Sequence, residues 1–256
     1  ENYPYNRQKL IGKKKMKKTF EASKFGTWYI PILTSGLAII CIGVCYVLSV
    51  QNGTVQPFPK TDITHTAIHP PSKYLFRILM LPAMTINQIN WLLIYRSLQL
   101  HSRVLGISQK REKLACVLGI IASWLLIVAS SVIQETDMDW TLHVFGATSF
   151  FILTFIGQFI ATSKFQSIKN KDPFAIGSNS MKIKWLVLFA TAGLLLLDGV
   201  NGIIDLGISK YLGNIIEWVL VVLLLSWNFT LVGDWKGKYY QVLQFNPSLP
   251  TIPTQP

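Results

Sequence analysis

Six apolar stretches dominate this sequence, and each is long enough to cross the hydrocarbon core of a membrane as a helix, which takes about 20 residues. In lipid only a helix or a closed barrel satisfies its own backbone hydrogen bonds. The stretches lack the alternation of polar and apolar residues that is typical of strands. The sequence therefore predicts an all-α fold, a polytopic bundle of six transmembrane helices near residues 28–50, 74–98, 114–133, 141–162, 185–206 and 211–232.

The composition agrees with a membrane protein and excludes other classes. Half of the residues are hydrophobic and 14% are charged, against roughly 25% charged in an ordinary soluble domain. A soluble enzyme or a disordered chain of this size would carry more charge. Basic cytosolic loops account for the net charge of +12, so it does not indicate nucleic-acid binding. Cys41, Cys45 and Cys116 lie inside apolar runs, which excludes a disulfide framework or a zinc knuckle.

The distribution of basic residues predicts the orientation in the membrane. Of the 24 Lys and Arg residues, twenty fall in the N-terminal arm, the second and fourth connections and the tail, and four fall on the other side. Basic residues concentrate in cytosolic loops, so both termini are predicted to be cytosolic. The predicted organisation is a basic cytosolic N-terminal arm (1–27), a six-helix transmembrane domain (28–235) and a cytosolic tail (236–256).

A basic cluster lies about ten residues before the first span and has two interpretations. One is attraction to anionic lipids of the cytosolic leaflet, worth about 1 kcal/mol per basic residue near the surface. The other is enforcement of the topology, which uses the same residues, and both stay open. DNA binding is less favoured than either. The cluster consists of Lys13, Lys14, Lys15, Lys17 and Lys18.

Ionisable residues inside the spans are costly in lipid and are candidate functional residues by default. Asp198 and Glu217 lie at similar depth in the fifth and sixth spans, and Arg77 and His143 begin the second and fourth. All four are predicted to converge on the half of the bundle that faces away from the cytosol, which we call the lumenal half. Within the spans, the cytosolic half is predicted to carry almost no charge. Glu217 is predicted either to be neutral or to meet a cationic partner, for which the sequence favours Arg77 first and His143 next.

Three interpretations of this cluster stay open. It is a structural polar plug, a pocket for a lipid head group, or a catalytic site. A zinc site built on His65 and His69 with His143 is disfavoured, because histidines four apart share a face only on a helix and prolines crowd this segment. The sequence contains no phosphate-binding loop, nucleophile elbow or dinucleotide fingerprint. We therefore expect neither a metal nor a cofactor.

Two segments give the chain a resemblance to a known family. The first lumenal loop has a Pro57-Phe58 start, a central Asp62 with Thr64, and a Pro70-Pro71 pair before Phe76. The last span carries Glu217-Trp218, Phe229-Thr230-Leu231 and Asp234-Trp235, and the fourth span opens on Thr141-Leu142-His143. Over residues 28–235 the chain resembles the DRAM/Frag/Sfk family of six-helix membrane proteins. In two places it departs from the family pattern, since a glycine of the loop centre is replaced and Ser72 stands where an acidic residue is usual.

The resemblance implies lipid handling or membrane scaffolding. The family includes lysosomal autophagy modulators, a Golgi factor of GPI-anchor lipid remodelling, and plasma-membrane proteins that support phosphoinositide-kinase recruitment or phospholipid asymmetry. The expected location is therefore an endomembrane (lysosome, Golgi or ER) or the plasma membrane. Expected partners are membrane lipids, including anionic cytosolic-leaflet lipids, and other membrane or peripheral proteins, but no nucleic acid.

The leading hypothesis is a non-enzymatic membrane protein that binds lipid at the lumenal cluster and acts as a scaffold or regulator. The alternative is a lipid-modifying enzyme or factor of GPI-anchor remodelling that uses Glu217, Asp198 and His143 for acid–base chemistry. A third class is an ion or solute transporter coupled through Asp198 and Glu217. Against the transporter stand the absence of an internal repeat and the confinement of the charges to one half of the membrane.

Overall fold

The computed structural model describes residues 25–108, 110–132, 136–204, 211–236 and 239–240. The chain divides into two compact units, one formed by Trp28–Lys236 and the other by the segments on either side of it. In the second unit the described residues form a short antiparallel pair, β1 (Phe25–Gly26) with β2 (Tyr239–Tyr240). The basic cluster at residues 13–18 lies outside the described residues.

In its described residues, the larger unit contains six helices that are long and apolar enough to cross a membrane. This finding confirms the predicted all-α, six-helix fold. A short 3₁₀ helix, His65–Ala67, interrupts the loop between the first two helices. The six helices are α1 (Tyr29–Gln51), α2 (Ser72–Val104), α3 (Lys110–Ser131), α4 (Asp137–Lys171), α5 (Ser178–Ile204) and α6 (Leu212–Trp235).

Two helices are longer than their apolar stretches. Helix α2 has 33 residues and α4 has 35, so α4 is about 50 Å long at 1.5 Å per residue and exceeds the ~30 Å hydrocarbon core. The added turns are polar and basic, as in the last turn of α4 with Lys169 and Lys171. Positive side chains are favourable at the C-terminus of a helix because they face its negative dipole end.

The helices close into a ring. Each helix packs against the next in sequence and α6 packs against α1, while α4 also contacts α2 and α6 across the middle. The helices of the ring end on two sides, which we call the loop end and the opposite end. The loop end carries residues 52–71, the end of α3 and the start of α4. The opposite end carries the start of α1, the α2–α3 connection and the end of α6.

The opposite end contains buried charges, which corrects the expectation that this half has almost none. Lys184 of α5 and Asp234 of α6 are buried, and the Lys184 Nζ lies 2.6 Å from the Asp234 Oδ2. Glu112 of α3 is fully buried and accepts a hydrogen bond from the Ser102 hydroxyl. The Lys164 Nζ of α4 lies 3.9 Å from the Glu112 Oε1. The long helices α2 and α4 contact Glu112 through Ser102 and Lys164, and Phe165 of α4 lies against Lys184.

Trp91 lies at the centre of the ring, where glycines make room for its indole. A Cβ atom added at Gly119 of α3 would lie 2.0 Å from the Trp91 ring, and one added at Gly157 of α4 would lie 3.1 Å from it. Trp91 in turn stacks on Trp227 of α6, with ring centroids 6.1 Å apart. The close approach of α2, α3 and α4 therefore depends on Gly119.

We expect Gly119→Ala to lower the free energy of unfolding by about 1–3 kcal/mol, the usual cost of overpacking a core. The matched control is Gly43→Ala in α1, where an added Cβ meets nothing within 4 Å. Alanine at a free helical position is favourable by up to about 1 kcal/mol. Denaturation in detergent measures the free energy of unfolding of both purified variants. Equal stability of the two variants would contradict the packing of Trp91 on Gly119.

Candidate functional site

The loop of residues 52–71 folds back onto the ring through its first half. The backbone N–H of Phe58 donates to the Tyr46 hydroxyl of α1 at 3.0 Å. The Asn214 amide of α6 donates to the Pro59 carbonyl at 3.2 Å, and the Trp218 indole N–H donates to the Thr61 carbonyl at 3.0 Å. These bonds hold the loop against α1 and α6.

The second half of the loop is held by α1 and by the start of α2. The Ser49 hydroxyl donates to the Thr66 carbonyl at 2.7 Å and lies 2.8 Å from the Ser72 hydroxyl. The motif prolines lie at the edges of the loop and are exposed, Pro57 before the first anchor and Pro70 and Pro71 before α2. The loop is therefore attached to the ring on both sides of its central residue, Thr64.

Thr64 joins two of the predicted site residues. Its hydroxyl oxygen lies 3.3 Å from the Glu217 Oε1 and 3.2 Å from the His143 Nε2. The other ring nitrogen of His143, Nδ1, lies 2.8 Å from the Ala129 carbonyl of α3 and donates to it. His143 is placed by the start of α4, where Thr136 and Asp139 form a reciprocal capping box.

The hydrogen bonds that join Glu217, Thr64 and His143 limit which of these groups can carry a proton. With Nδ1 donating to a carbonyl, a neutral His143 offers Nε2 only as an acceptor. The Thr64 hydroxyl donates once, either to Glu217 or to His143. Because a neutral Nε2 and an ionised carboxylate both need a donor, the two contacts are both hydrogen bonds only if Glu217 and His143 together hold at least one further proton. With a single further proton, the two arrangements that satisfy both contacts are an ionised Glu217 with a cationic His143, and a neutral Glu217 with a neutral His143.

Arg77 does not join this group. Its guanidinium Nη2 donates to the Ser131 carbonyl of α3 at 2.7 Å. Within the part of the chain that the structure describes, no ion pair links Arg77 to Glu217, so the pairing that the sequence favoured is wrong. The reason is the position of Arg77 around the axis of α2, since it lies on the face of α2 that packs against α3. His143, the second choice, reaches Glu217 through Thr64.

Asp62 pairs with His65 beside this chain of hydrogen bonds. The Asp62 Oδ1 accepts from the backbone N–H and from the ring Nδ1 of His65, both at 2.7 Å. Burial opposes ionisation of Asp62, but the hydrogen bonds from His65 outweigh it and lower the pKa of Asp62. The bond to Asp62 raises the pKa of His65. In the described ranges, no group of three or more His, Cys, Asp or Glu is arranged to hold a metal.

The Asp62–His65 pair predicts a pH window for the order of the loop. The contribution of His65 is complete below its ordinary pKa of 6.5 and is lost as the pH rises through the raised pKa. The contribution of Asp62 is complete above its ordinary pKa of 3.8 and is lost as the pH falls through the lowered pKa. Hydrogen-exchange protection of residues 61–67, corrected for the intrinsic rate, is expected to be highest between these values.

The control for this pH window is a matched pair of histidine variants. His65→Gln removes the titrating partner, so the fall in protection at higher pH is expected to disappear. His69→Gln changes an exposed histidine of the same loop and is expected to leave the window in place. A window that is unchanged in His65→Gln would contradict the role of the pair.

A cavity of about 620 Å³ opens beside Thr64. It is formed by the loop, α4, α5 and α6, and we call it the α4–α6 cavity. Its polar lining is Asp62, Thr64, Trp140, His143, Thr148, Asp198 and Glu217, and its apolar lining includes Val144, Phe151, Phe155, Leu195, Leu196 and Leu220. The Trp140 and His143 rings stack at 5.8 Å. The cavity is open rather than enclosed, and a smaller space of about 90 Å³ adjoins it toward α1 and α2.

The structure therefore brings three of the four predicted cluster residues to one cavity, His143, Asp198 and Glu217. Asp198 is exposed and lines the cavity on α5. Thr64 and Trp140 were not predicted as site residues. Thr64 belongs to the loop motif, but a neutral hydroxyl carries no sequence signal for a contact with a residue 153 positions away.

The fold and the cavity define a class, a six-helix membrane protein whose helix ring carries, at one end, a half-open cavity lined by both polar and apolar side chains. The sequence model of the family described as Frag1/DRAM/Sfk1/Cwh43P N-terminal domain matches residues 26–238. The chain belongs to this family, as its loop and α6 motifs indicated. No curated protein and no solved structure matches the chain.

Proposed function

We propose that this protein is a non-enzymatic membrane protein that binds a lipid in the α4–α6 cavity and acts as a membrane scaffold or regulator. The observation that carries the proposal is the polarity of the cavity. Its carboxylates, hydroxyls and imidazole lie at the loop end, and its deeper wall is aliphatic and aromatic. A volume of about 620 Å³ falls in the usual range of small-molecule sites, roughly 300–1,000 Å³.

The position of the cavity supports a lipid rather than a water-soluble ligand. Three helices of the ring flank the site, and the outer surfaces of α4 and α5 are apolar, with Phe159, Leu186 and Phe189 exposed. An opening among such helices lies within reach of the acyl chains of the membrane. In the proposed pose the head group meets Asp62, Asp198 and Glu217 while an acyl chain follows Phe151 and Leu220.

The remaining parts of the proposal concern orientation and partners. The excess of Lys and Arg on the other side supports a lumenal or extracellular site. The arm residues Lys13–Lys18 then meet anionic lipids of the cytosolic leaflet. The site and the arm together support a role as a regulator in autophagy, phosphoinositide supply or lipid asymmetry. The protein then acts at an endomembrane or the plasma membrane. Its further partners are membrane or peripheral proteins.

Filling the cavity tests the proposal. Ala147 lines both the α4–α6 cavity and the smaller space, so Ala147→Trp is expected to reduce the lipid retained on purification by at least roughly tenfold, or about 1.4 kcal/mol. Native mass spectrometry measures the retained lipid. The control is Leu186→Trp, which adds the same ring to an exposed position of α5 and is expected to retain lipid like the wild type. Full retention by Ala147→Trp would contradict the proposal.

The orientation of His143 favours a second candidate, lipid modification of the kind that GPI-anchor remodelling requires. The bond from Nδ1 to Ala129 directs Nε2 toward Thr64 and the cavity, as a general base requires. The same mass spectra separate the two functions. A scaffold returns the added lipid unchanged, and an enzyme returns a lipid of altered mass that His143→Gln does not produce.

A further inference from the structure

The charge of the α4–α6 cavity indicates which head group it accepts. Its lining contains three carboxyl groups, Asp62, Asp198 and Glu217, and one imidazole, His143. Lysine and arginine are absent from the described residues that line it. A cavity that selects an anionic head group normally supplies Arg or Lys for the phosphate, and this lining supplies the opposite charge.

The basic groups near the cavity are engaged elsewhere. The Arg77 guanidinium donates to Ser131 on α3, and the His65 ring is bonded to Asp62. His143 is anchored to the Ala129 carbonyl through one nitrogen and contacts Thr64 through the other. Asp62 is partly neutralised by His65, which leaves Asp198 and Glu217 as carboxyl groups that no ion pair within the described residues neutralises.

An aromatic ring adds to this preference. Trp140 lines the cavity on α4, between His65 and His143, with ring centroids 6.2 Å and 5.8 Å from theirs. The face of an indole attracts cations, and indole is the strongest of the aromatic side chains in this respect. Carboxylates beside an indole form a suitable environment for an ammonium group.

We propose that the cavity selects lipids whose head group ends in an ammonium group, which Glu217 and Asp198 receive beside Trp140. This inference rests on the proposed lipid binding and adds the chemical class of the ligand. An ammonium supplies up to three N–H donors, and its single charge balances one of the two carboxylates. Its arrival favours the arrangement in which Glu217 is ionised and Thr64 donates to it. Two sources carry this chemistry, a phospholipid with an ethanolamine head and a long-chain amine without phosphate.

Competition between matched lipids tests the inference. The purified protein is incubated with equal amounts of phosphatidylethanolamine and its N-acetyl derivative, which has the same phosphate and acyl chains but no ammonium. Native mass spectrometry is expected to show a preference of at least roughly tenfold for the free amine. A parallel incubation with sphingosine distinguishes the sources, since its retention shows that the phosphate is not required.

Variants of the two carboxyl groups complete the test. Asp198→Asn and Glu217→Gln are each expected to reduce the preference, and Asp198 is an exposed side chain, so its replacement leaves the packing of the ring intact. The control is Asp137→Asn, an exposed carboxylate in the first turn of α4 outside the cavity, which is expected to keep the preference.

Three results would overturn the inference. Equal retention of the amine and its N-acetyl derivative overturns it while the proposed lipid binding stands. An undiminished preference in both Asp198→Asn and Glu217→Gln also overturns it, because the ammonium is then held elsewhere. Failure of every lipid to bind overturns the inference together with the proposed function.

Discussion

Asp234→Ala is expected to lower the free energy of unfolding by about 3–5 kcal/mol, the usual cost of removing one partner of a buried ion pair. The Lys184 ammonium is fully buried and lies 2.6 Å from the Asp234 Oδ2. Its other contacts are the Ser180 hydroxyl at 2.7 Å and the rings of Phe165 and Trp227. These neutral groups do not replace the lost charge, so the variant leaves an unpaired cation in the core.

A double variant separates the ion pair from the packing around it. Lys184→Met combined with Asp234→Ala removes both charges and is expected to recover most of the lost stability, because replacing a buried pair by apolar groups is often close to neutral. Titration with sodium dodecyl sulfate in mixed micelles measures unfolding. The control is Lys182→Met, an exposed lysine of the same helix, with an expected change within about 0.5 kcal/mol. A double variant no more stable than Asp234→Ala would contradict this account.

The number of helices and their order could be predicted because lipid imposes a simple length rule on apolar stretches. The last turns of α2 and α4 could not be predicted in this way, because outside the hydrocarbon core a polar helix and a polar loop have similar hydropathy. Lys164 and Lys169 counted equally as cytosolic charges in the sequence. In the structure Lys164 is buried beside Glu112, while Lys169 is partly exposed in the last turn of α4.

The candidate site shows the same limit at the level of single residues. Counting residues from a helix end gives depth in the membrane, and it placed Arg77, His143 and Glu217 correctly at one end. Depth says nothing about the direction of a side chain around the helix axis, which the packing of neighbouring helices decides. Arg77 therefore contacts α3 rather than α6. The contact that His143 does make with Glu217 depends on a loop hydroxyl, which hydropathy does not detect.

Thr64→Val is expected to reduce lipid retention by at least roughly tenfold, and to cost about 1–3 kcal/mol in stability. Valine has nearly the same shape as threonine but lacks the hydroxyl that bridges Glu217 and His143. Both of these groups then lose a hydrogen-bond partner, and the centre of the loop loses its polar contacts with α4 and α6. Native mass spectrometry and detergent denaturation measure the two effects on the same samples.

Two further variants identify the bridge as the cause. Thr64→Ser keeps the hydroxyl and is expected to retain lipid. Thr66→Val makes the same change two residues along the loop, where the lost hydroxyl bonds only locally, to the Ile63 carbonyl, so lipid retention is expected to persist. If Thr64→Val and Thr66→Val lose lipid equally, loop packing rather than the hydroxyl bridge controls the cavity. If Thr64→Val retains lipid like the wild type, Glu217 and His143 hold the ligand without Thr64, and the hydrogen-bonded chain has no part in binding.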